Sequence, residues 1–174
     1  MSLPFKPVVS TLQKHHERSA FTCGKESIDR YLHQQSSQDM KRRLAAVFVL
    51  QGKQRADIAA FYALFALSID AGDLTSFAAK NLPKMRPIPC TLLGQFAVDL
   101  KWKKQSIGGW MLVHVMQQVL SHSEKIASFA LVVDAVDDEA QAYWKHCGFI
   151  SFPNTARRLF IPIKTIKKWL ISLN

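Results

Sequence analysis

Nothing in this 174-residue sequence approaches the ~20 consecutive apolar residues that a membrane-spanning helix needs, so an integral helical membrane protein is not expected. Cysteine is scarce. Cys23, Cys90 and Cys147 are odd in number and widely spaced, which suits neither a disulfide framework nor a zinc site of paired ligands, and free thiols are expected. His15 and His16 have no third ligand at a useful spacing, so no metal is expected, and His114 reads as a packed residue. Residues 1–20 lack an apolar core followed by a small-residue cleavage site, which argues against a secretory signal and for a cytoplasmic location. No internal repeat, low-complexity tract or Pro/Gly/Ser linker interrupts the chain, so residues 1–174 are expected to form a single domain. Acidic residues are outnumbered: 13 Asp and Glu face 23 Lys and Arg, and a formal charge of +10 attracts polyanions such as nucleic acid or a phosphate-rich cofactor.

The patterns that are present describe alternating strands and helices. Ile28, Tyr31, Leu32 and Gln35 recur at helical spacing in CGKESIDRYLHQQSSQDMKRRL, and the basic cluster Lys41, Arg42, Arg43 suits a helix C-terminus. AAVFVLQG (45–52) and ADIAAFYALFALSI (56–69) are β-branched and aromatic runs flanking a polar turn, the pattern of a hairpin. A short helix is expected over 74–81, after which Pro83, Pro87 and Pro89 break regular structure. TLLGQFAVDL (91–100) reads as a buried strand, and Ile107, Met111, Val115 and Val119 mark a long helix after it. A strand at 127–136, an amphipathic helix at 137–148 closed by Gly148, a strand pair in FISF and RRLFIPI, and a short helix in TIKKWLISL complete the chain. The order is β α β β (short α) β α β α β β α. It predicts a mixed α/β fold: a central mixed sheet of about six to seven strands, parallel near the middle and antiparallel in the early hairpin, with helices on both faces.

The junction KWKKQSIGGWML (101–112) concentrates the chemistry. The chain leaves a strand, passes Lys101, Lys103 and Lys104, and enters a helix near Ser106, where unpaired N–H groups and the positive end of the helix dipole make an anion site. Gly108 and Gly109 let a ligand's phosphates approach the first turn; close packing of the helix start against the sheet is the alternative reading of the same pair. Neither a P-loop nor the Gly-x-Gly-x-x-Gly of a dinucleotide site occurs.

LLGQFAVDLKWKKQSIGGWML, followed by AVDDEAQAYWKHCGF, resembles the Gcn5-related N-acetyltransferase family, and the resemblance covers nearly the whole chain. The family's pyrophosphate loop, Arg/Gln-x-x-Gly-x-Gly/Ala, falls on Lys103, Lys104, Gln105, Ser106, Ile107 and Gly108, with Gly109 next; Lys replaces Arg/Gln and Ser replaces the first Gly. The resemblance implies acetyl-CoA as cofactor, its pantetheine arm pairing with the backbone of Phe96, Ala97 and Val98 like an added strand. FTCGKESIDRYL, FYALFALSI and RPIPCTLLGQFAVD further resemble the toxins of toxin–antitoxin pairs within that family. That subgroup implies acetylation of the α-amine of aminoacyl-tRNA by direct transfer, a block on translation and a ribbon-helix-helix antitoxin as partner; the sequence leaves the oligomeric state open between monomer and homodimer. The charge of +10 fits an RNA-binding surface.

The subgroup's Phe-Tyr-x-x-x-Gly-Phe places a tyrosine hydroxyl near the coenzyme sulfur. In Tyr143-Trp144-Lys145-His146-Cys147-Gly148-Phe149 that position is Trp144, and the hydroxyl sits one residue earlier on Tyr143, rotated ~100° around a helix. Both are candidate catalytic positions. Asp99 is a candidate base with a turn or ion-pair role as the alternative, and His146 with Cys147 invite a covalent reading that their divergence on a helix opposes. Two other readings stand beside the toxin: a weakened acetyltransferase fold that binds acetyl-CoA or RNA without turnover, and an acetyltransferase acting on a small-molecule or protein amine.

Overall fold

The computed structural model describes residues 2–174. Seven strands form one sheet in the order β1-β2-β3-β4-β5-β7-β6: β1 is Val9–Thr11, β2 Ala46–Gln51, β3 Ile58–Ile69, β4 Ile88–Val98, β5 Ala130–Asp134, β6 Ile150–Ser151 and β7 Arg158–Pro162. The helices are α1 (Glu26–Arg30) and α2 (Ser36–Lys41), α3 (Ser76–Ala79), α4 (Ile107–Ser123), α5 (Asp138–His146) and α6 (Ile163–Ser172). The predicted order is therefore the observed one, with seven strands. Packing divides the chain into two compact units, the first holding the chain up to Phe65 together with Gly94–Val115, the second Ala66–Leu93 together with Met116–Asn174.

In the first unit β2 pairs antiparallel with β1 (Val9 opposite Leu50) and with β3 (Ala46 opposite Leu64), and the register slips at Leu50/Gln51. Alternation puts Val47, Val49, Phe61 and Ala63 on one buried face. The helical stretch that covers it, Glu26 to Lys41, is one continuous run interrupted by a π turn over Tyr31–Gln35. Ile28, Tyr31 and Leu32 fill the core, each such side chain contributing about 1.5–3 kcal/mol on burial. Ser36 donates from Oγ to the Leu32 carbonyl at 2.7 Å, serving an acceptor where the helix is widened. Gly94 is required by its neighbour: a Cβ there would meet the Phe65 ring at 2.5 Å.

In the second unit β5 runs parallel to β4 (Thr91 opposite Leu131) and antiparallel to β7 (Leu131 opposite Ile161), and β6 pairs with β7. Ala130, Val132, Phe152 and Phe160 centre its core. Asp137 caps α5 by accepting from Ala140 N at 2.8 Å; Asp138 and Glu139 occupy the first turn, Lys145 and His146 the last, and Gly148 follows at φ +91°. This is the polarity that the helix dipole favours.

Strand and helix ends differ by a few residues from those read in the sequence, and two differences have a clear cause. Pro89 lies inside β4, which begins at Ile88; near the strand start it gives up one N–H, and its carbonyl still accepts from Phe129 N at 2.7 Å. The helix expected over 74–81 is a 3-10 turn at Ala71–Asp73 followed by one turn of α3, because Asp70 and Asp73 cap the first piece and Thr75 restarts the second. The three thiols are free, Cys23 and Cys90 buried. Among the described residues no helix is long and apolar enough to cross a membrane.

Candidate active site

The loop that leaves β4 is held in place before it can hold anything else. Asp99, 3% exposed, accepts from Lys101 N on Oδ1 at 2.9 Å, capping the 3-10 turn Leu100–Trp102. Its Oδ2 accepts from Thr22 N at 3.1 Å, Leu100 N donates to the Thr22 carbonyl at 2.9 Å, and Asp99 N donates to the Ala59 carbonyl at 2.9 Å. Both carboxylate oxygens are committed to backbone donors, so Asp99 is an anchor for the loop; of the two roles open to it in the sequence, the structural one is observed.

Beyond the turn, Gln105 Nε2 donates to the Lys101 carbonyl at 3.0 Å. Lys104 and Ser106 sit at φ +60° and +62°, the left-handed region that costs a residue with a Cβ roughly 1–2 kcal/mol. These reversals turn the chain sharply into α4, whose first hydrogen bond runs from Trp110 N to the Ser106 carbonyl at 3.0 Å. Ile107 is buried and anchors the helix start. The N–H groups of Ile107, Gly108 and Gly109 belong to the first turn, where an α-helix offers them no partner of its own. Lys101, Lys103 and Lys104 are exposed around them. The expectation that Ser106 opens the helix agrees with this geometry, and its φ is the one a glycine adopts freely. An anionic pyrophosphate fits this cradle of N–H groups and lysines. Upstream, Phe96, Ala97 and Val98 are the last residues of β4; Ala97 is buried and its two neighbours half-buried.

The two aromatic candidates lie on α5 and diverge as helix geometry requires. Trp144 is buried, its ring edge-on to Phe149 with centroids 5.2 Å apart. Tyr143 is 38% exposed and edge-on to Trp144 at 5.0 Å. Burial of its hydroxyl, together with Cys147 one turn on, pushes its pKa up, so the phenol stays protonated at neutral pH. Burial likewise raises the Cys147 thiol, with the Tyr143 hydrogen bond working against it. A raised thiol pKa disfavours the thiolate nucleophile that covalent catalysis needs, and His146 faces outward.

Sequence reasoning missed the architecture around FTCG. Asp29 gathers it: Thr22 Oγ1 donates to Oδ2 at 2.7 Å and Cys23 N donates to Oδ1 at 2.8 Å. Burial works against the carboxylate, yet these bonds hold its pKa below the ordinary value. His33 donates from Nε2 to the Phe21 carbonyl at 2.8 Å, since a carbonyl only accepts. Thr22, Gly24, Asp29, Arg30, His33 and Gln34 line an open concavity of about 430 Å³. Asp29 follows FTCG by five residues, in the first turn of α1, and residue type alone does not announce such a bond. The histidine pair is also placed: His16 is buried and accepts on Nδ1 from Gln13 N at 2.9 Å, with the His15 ring 4.1 Å away. Among the described residues no group of three metal-ligating side chains converges.

No protein-family model matches the chain. A probable toxin TacT of Sinorhizobium fredii is 24% identical over 159 residues, covering 87% of this chain and 88% of the relative. A tRNA-acetylating toxin of Mycobacterium tuberculosis is 27% identical over 146 residues, 84% of this chain and 86% of that one. Among solved structures, a tyrosine-to-phenylalanine mutant of KacT superposes with a TM-score of 0.88 at 22% identity, over 95% of this chain and 99% of that one. AtaT complexed with acetyl-methionyl-tRNAfMet gives 0.85 at 22% identity, over 94% and 99%. An AtaT tyrosine-to-phenylalanine mutant bound to the C-terminus of the antitoxin AtaR and acetyl-CoA gives 0.80 at 21%, over 96% and 99%.

Proposed function

We propose that this chain, which shares the fold of the Gcn5-related acetyltransferase toxins over nearly its whole length, is an acetyl-CoA-dependent N-acetyltransferase that acetylates the α-amine of aminoacyl-tRNA and so blocks translation. The observation that carries the reading is the junction of β4 and α4. Two left-handed residues, Lys104 and Ser106, turn the first N–H groups of α4 into an anion cradle at the place where the family motif falls. The relative named for tRNA acetylation and the neighbours bound to acetyl-CoA and to acetylated tRNA support the substrate class.

In this reading Lys103 to Gly109 would hold the coenzyme's phosphates, through backbone N–H groups and the lysine charges, and the backbone of Phe96, Ala97 and Val98 would pair with its pantetheine arm. The coenzyme supplies the acetyl group as a thioester. The attacking amine gives up its proton to water, since both oxygens of Asp99 are engaged. Thiols of pKa ~8.5 leave with less help than alkoxides do, so transfer proceeds with Trp144 in place of the subgroup's tyrosine. The Tyr143 hydroxyl, kept protonated, is the remaining phenol on α5 that can donate. The chain works in the cytoplasm as one domain, and a ribbon-helix-helix antitoxin silences it; the AtaR-bound neighbour supports an antitoxin partner.

The test is incubation of the full-length protein with radiolabelled acetyl-CoA and charged tRNA, beside a Lys103→Ala/Lys104→Ala variant. Label on the aminoacyl end, reduced in the variant and restored at high coenzyme concentration, is the expected result. Coenzyme that raises the melting temperature without any transfer favours instead a binding-only protein.

A further inference from the structure

The C-terminal helix α6 carries a charge pattern that its own fold does not repay. Lys164, Lys167 and Lys168 are all exposed, and at i, i+3 and i, i+4 spacing they share one face within a single turn, Cβ atoms about 5–6 Å apart. Like charges at that spacing destabilise a helix. Lys164 also lies in the first turn, against the positive end of the dipole, and that turn has no acidic residue and no side-chain cap. Relief does not come from nearby in the chain, since no Asp or Glu occurs from Ala140 to Asn174. None of the three lysines has an ion pair among the described residues, whereas Arg157 and Arg158 in the same unit pair with Asp138 and Asp134.

We infer that the Lys164–Lys167–Lys168 face of α6 binds the phosphate backbone of the RNA substrate, outside the acetyl-transfer site; this rests on the function proposed above. A polyanion with regularly repeated charge is the partner that rewards three cations on one helical turn. Trp169, beside them and 40% exposed, offers aromatic surface on which a base can stack. An anionic membrane is the poorer match. A helix lying on a bilayer needs its apolar face free, and here Ile166 is fully buried with Ile163 and Leu170 half-buried, so that face is spent on the core.

The experiment compares the full-length protein with Lys164→Gln/Lys167→Gln/Lys168→Gln. Glutamine keeps helix propensity, and a matching triple Lys→Arg variant keeps the charge. Binding of a tRNA transcript is followed by fluorescence anisotropy from low to moderate salt, and acetylation kinetics are measured on charged tRNA. The glutamine variant is expected to bind ~10-fold more weakly, with the slope of log K against log salt reduced by ~2–3. Its KM for charged tRNA rises while kcat and the coenzyme-induced melting shift are kept, and the arginine variant behaves as the parent. If the triple variant is poorly folded, Lys168→Gln alone should remove about one from the slope. An unchanged slope overturns the inference, as does a glutamine variant that keeps RNA binding but loses binding to phosphatidylserine/phosphatidylcholine vesicles. A parent that binds RNA with the predicted slope loss but transfers no acetyl group overturns the proposed function and leaves the α6 surface standing. A parent that acetylates tRNA with variants indistinguishable from it does the reverse.

Discussion

The loop between β4 and α4 and the helix α5 both depart from the sequence pattern they resemble, and the departures differ in kind. In the loop, Ser106 stands where the pattern has glycine and Lys103 where it has Arg or Gln, yet Ser106 adopts φ +62° and α4 still begins at Ile107. On α5 the helix, its Asp137 cap and the closing Gly148 are all in place, and what changes is a side chain: Trp144 for tyrosine. A function carried by backbone N–H groups survives substitution at the cost of some strain. A function carried by one hydroxyl does not, because an indole N–H has no useful acidity.

That contrast can be broken most severely at Gly108. If the proposed cradle holds the coenzyme, Gly108→Val puts a branched side chain in the path of its phosphates; acetyl-CoA affinity, by calorimetry, is expected to fall ~100-fold or more, about 2.8 kcal/mol at ~1.4 kcal/mol per decade. Next, Trp144→Tyr restores the hydroxyl. General-acid assistance contributes typically 10²–10⁴-fold, so kcat on charged tRNA is expected to rise by roughly 10², while stability falls by about 1–3 kcal/mol because a smaller ring with a polar atom enters a buried site. Tyr143→Phe should lower the parent's kcat by less than ~10-fold, and a larger loss would move the acid role fully onto Tyr143.

The anchor of the loop is read on stability instead of turnover. Asp99→Ala leaves the N–H groups of Thr22 and Lys101 without their acceptor, and urea unfolding should show a loss of about 2–4 kcal/mol; a base role would instead leave stability intact and abolish turnover. Ser106→Gly relieves a left-handed Cβ but adds freedom to the unfolded chain, for a net gain of about 0.5–1 kcal/mol, with coenzyme affinity retained.

Much of the fold was legible because it rests on local pattern. β-branched and aromatic runs marked β2 and β3, four-residue recurrence marked α4, and Gly148 marked the end of α5. What escaped depends on partners distant in sequence or on torsions that residue type does not announce. Asp99 and Thr22 are brought together by the fold, so their bond cannot be read from either neighbourhood. Positive φ at Lys104 is invisible because lysine rarely adopts it, and the π turn over Tyr31–Gln35 is hidden within an ordinary helical periodicity. In the site, the cradle's residues and the Trp144 substitution were both readable; the commitment of the Asp99 oxygens and the Tyr143–Cys147 contact required coordinates.

The smallest effect expected is one of pH. Burial holds His114 below its ordinary value, and burial with the neighbouring His15 does so for His16. The unfolded chain therefore takes up these protons first, so stability is full above about 6.5 and declines as pH falls toward the lowered folded values. Melting temperature measured from pH 7.5 to 5 should fall, and His114→Phe should flatten part of that fall.

The most direct measurement is a single-turnover reaction of the unmodified protein with acetyl-CoA and charged tRNA, followed by nuclease digestion and mass spectrometry of the released aminoacyl-adenosine. The account predicts an added acetyl group on the α-amine, formed more slowly than in the Trp144→Tyr variant. Aminoacyl-adenosine that stays unmodified while acetyl-CoA is bound would contradict it.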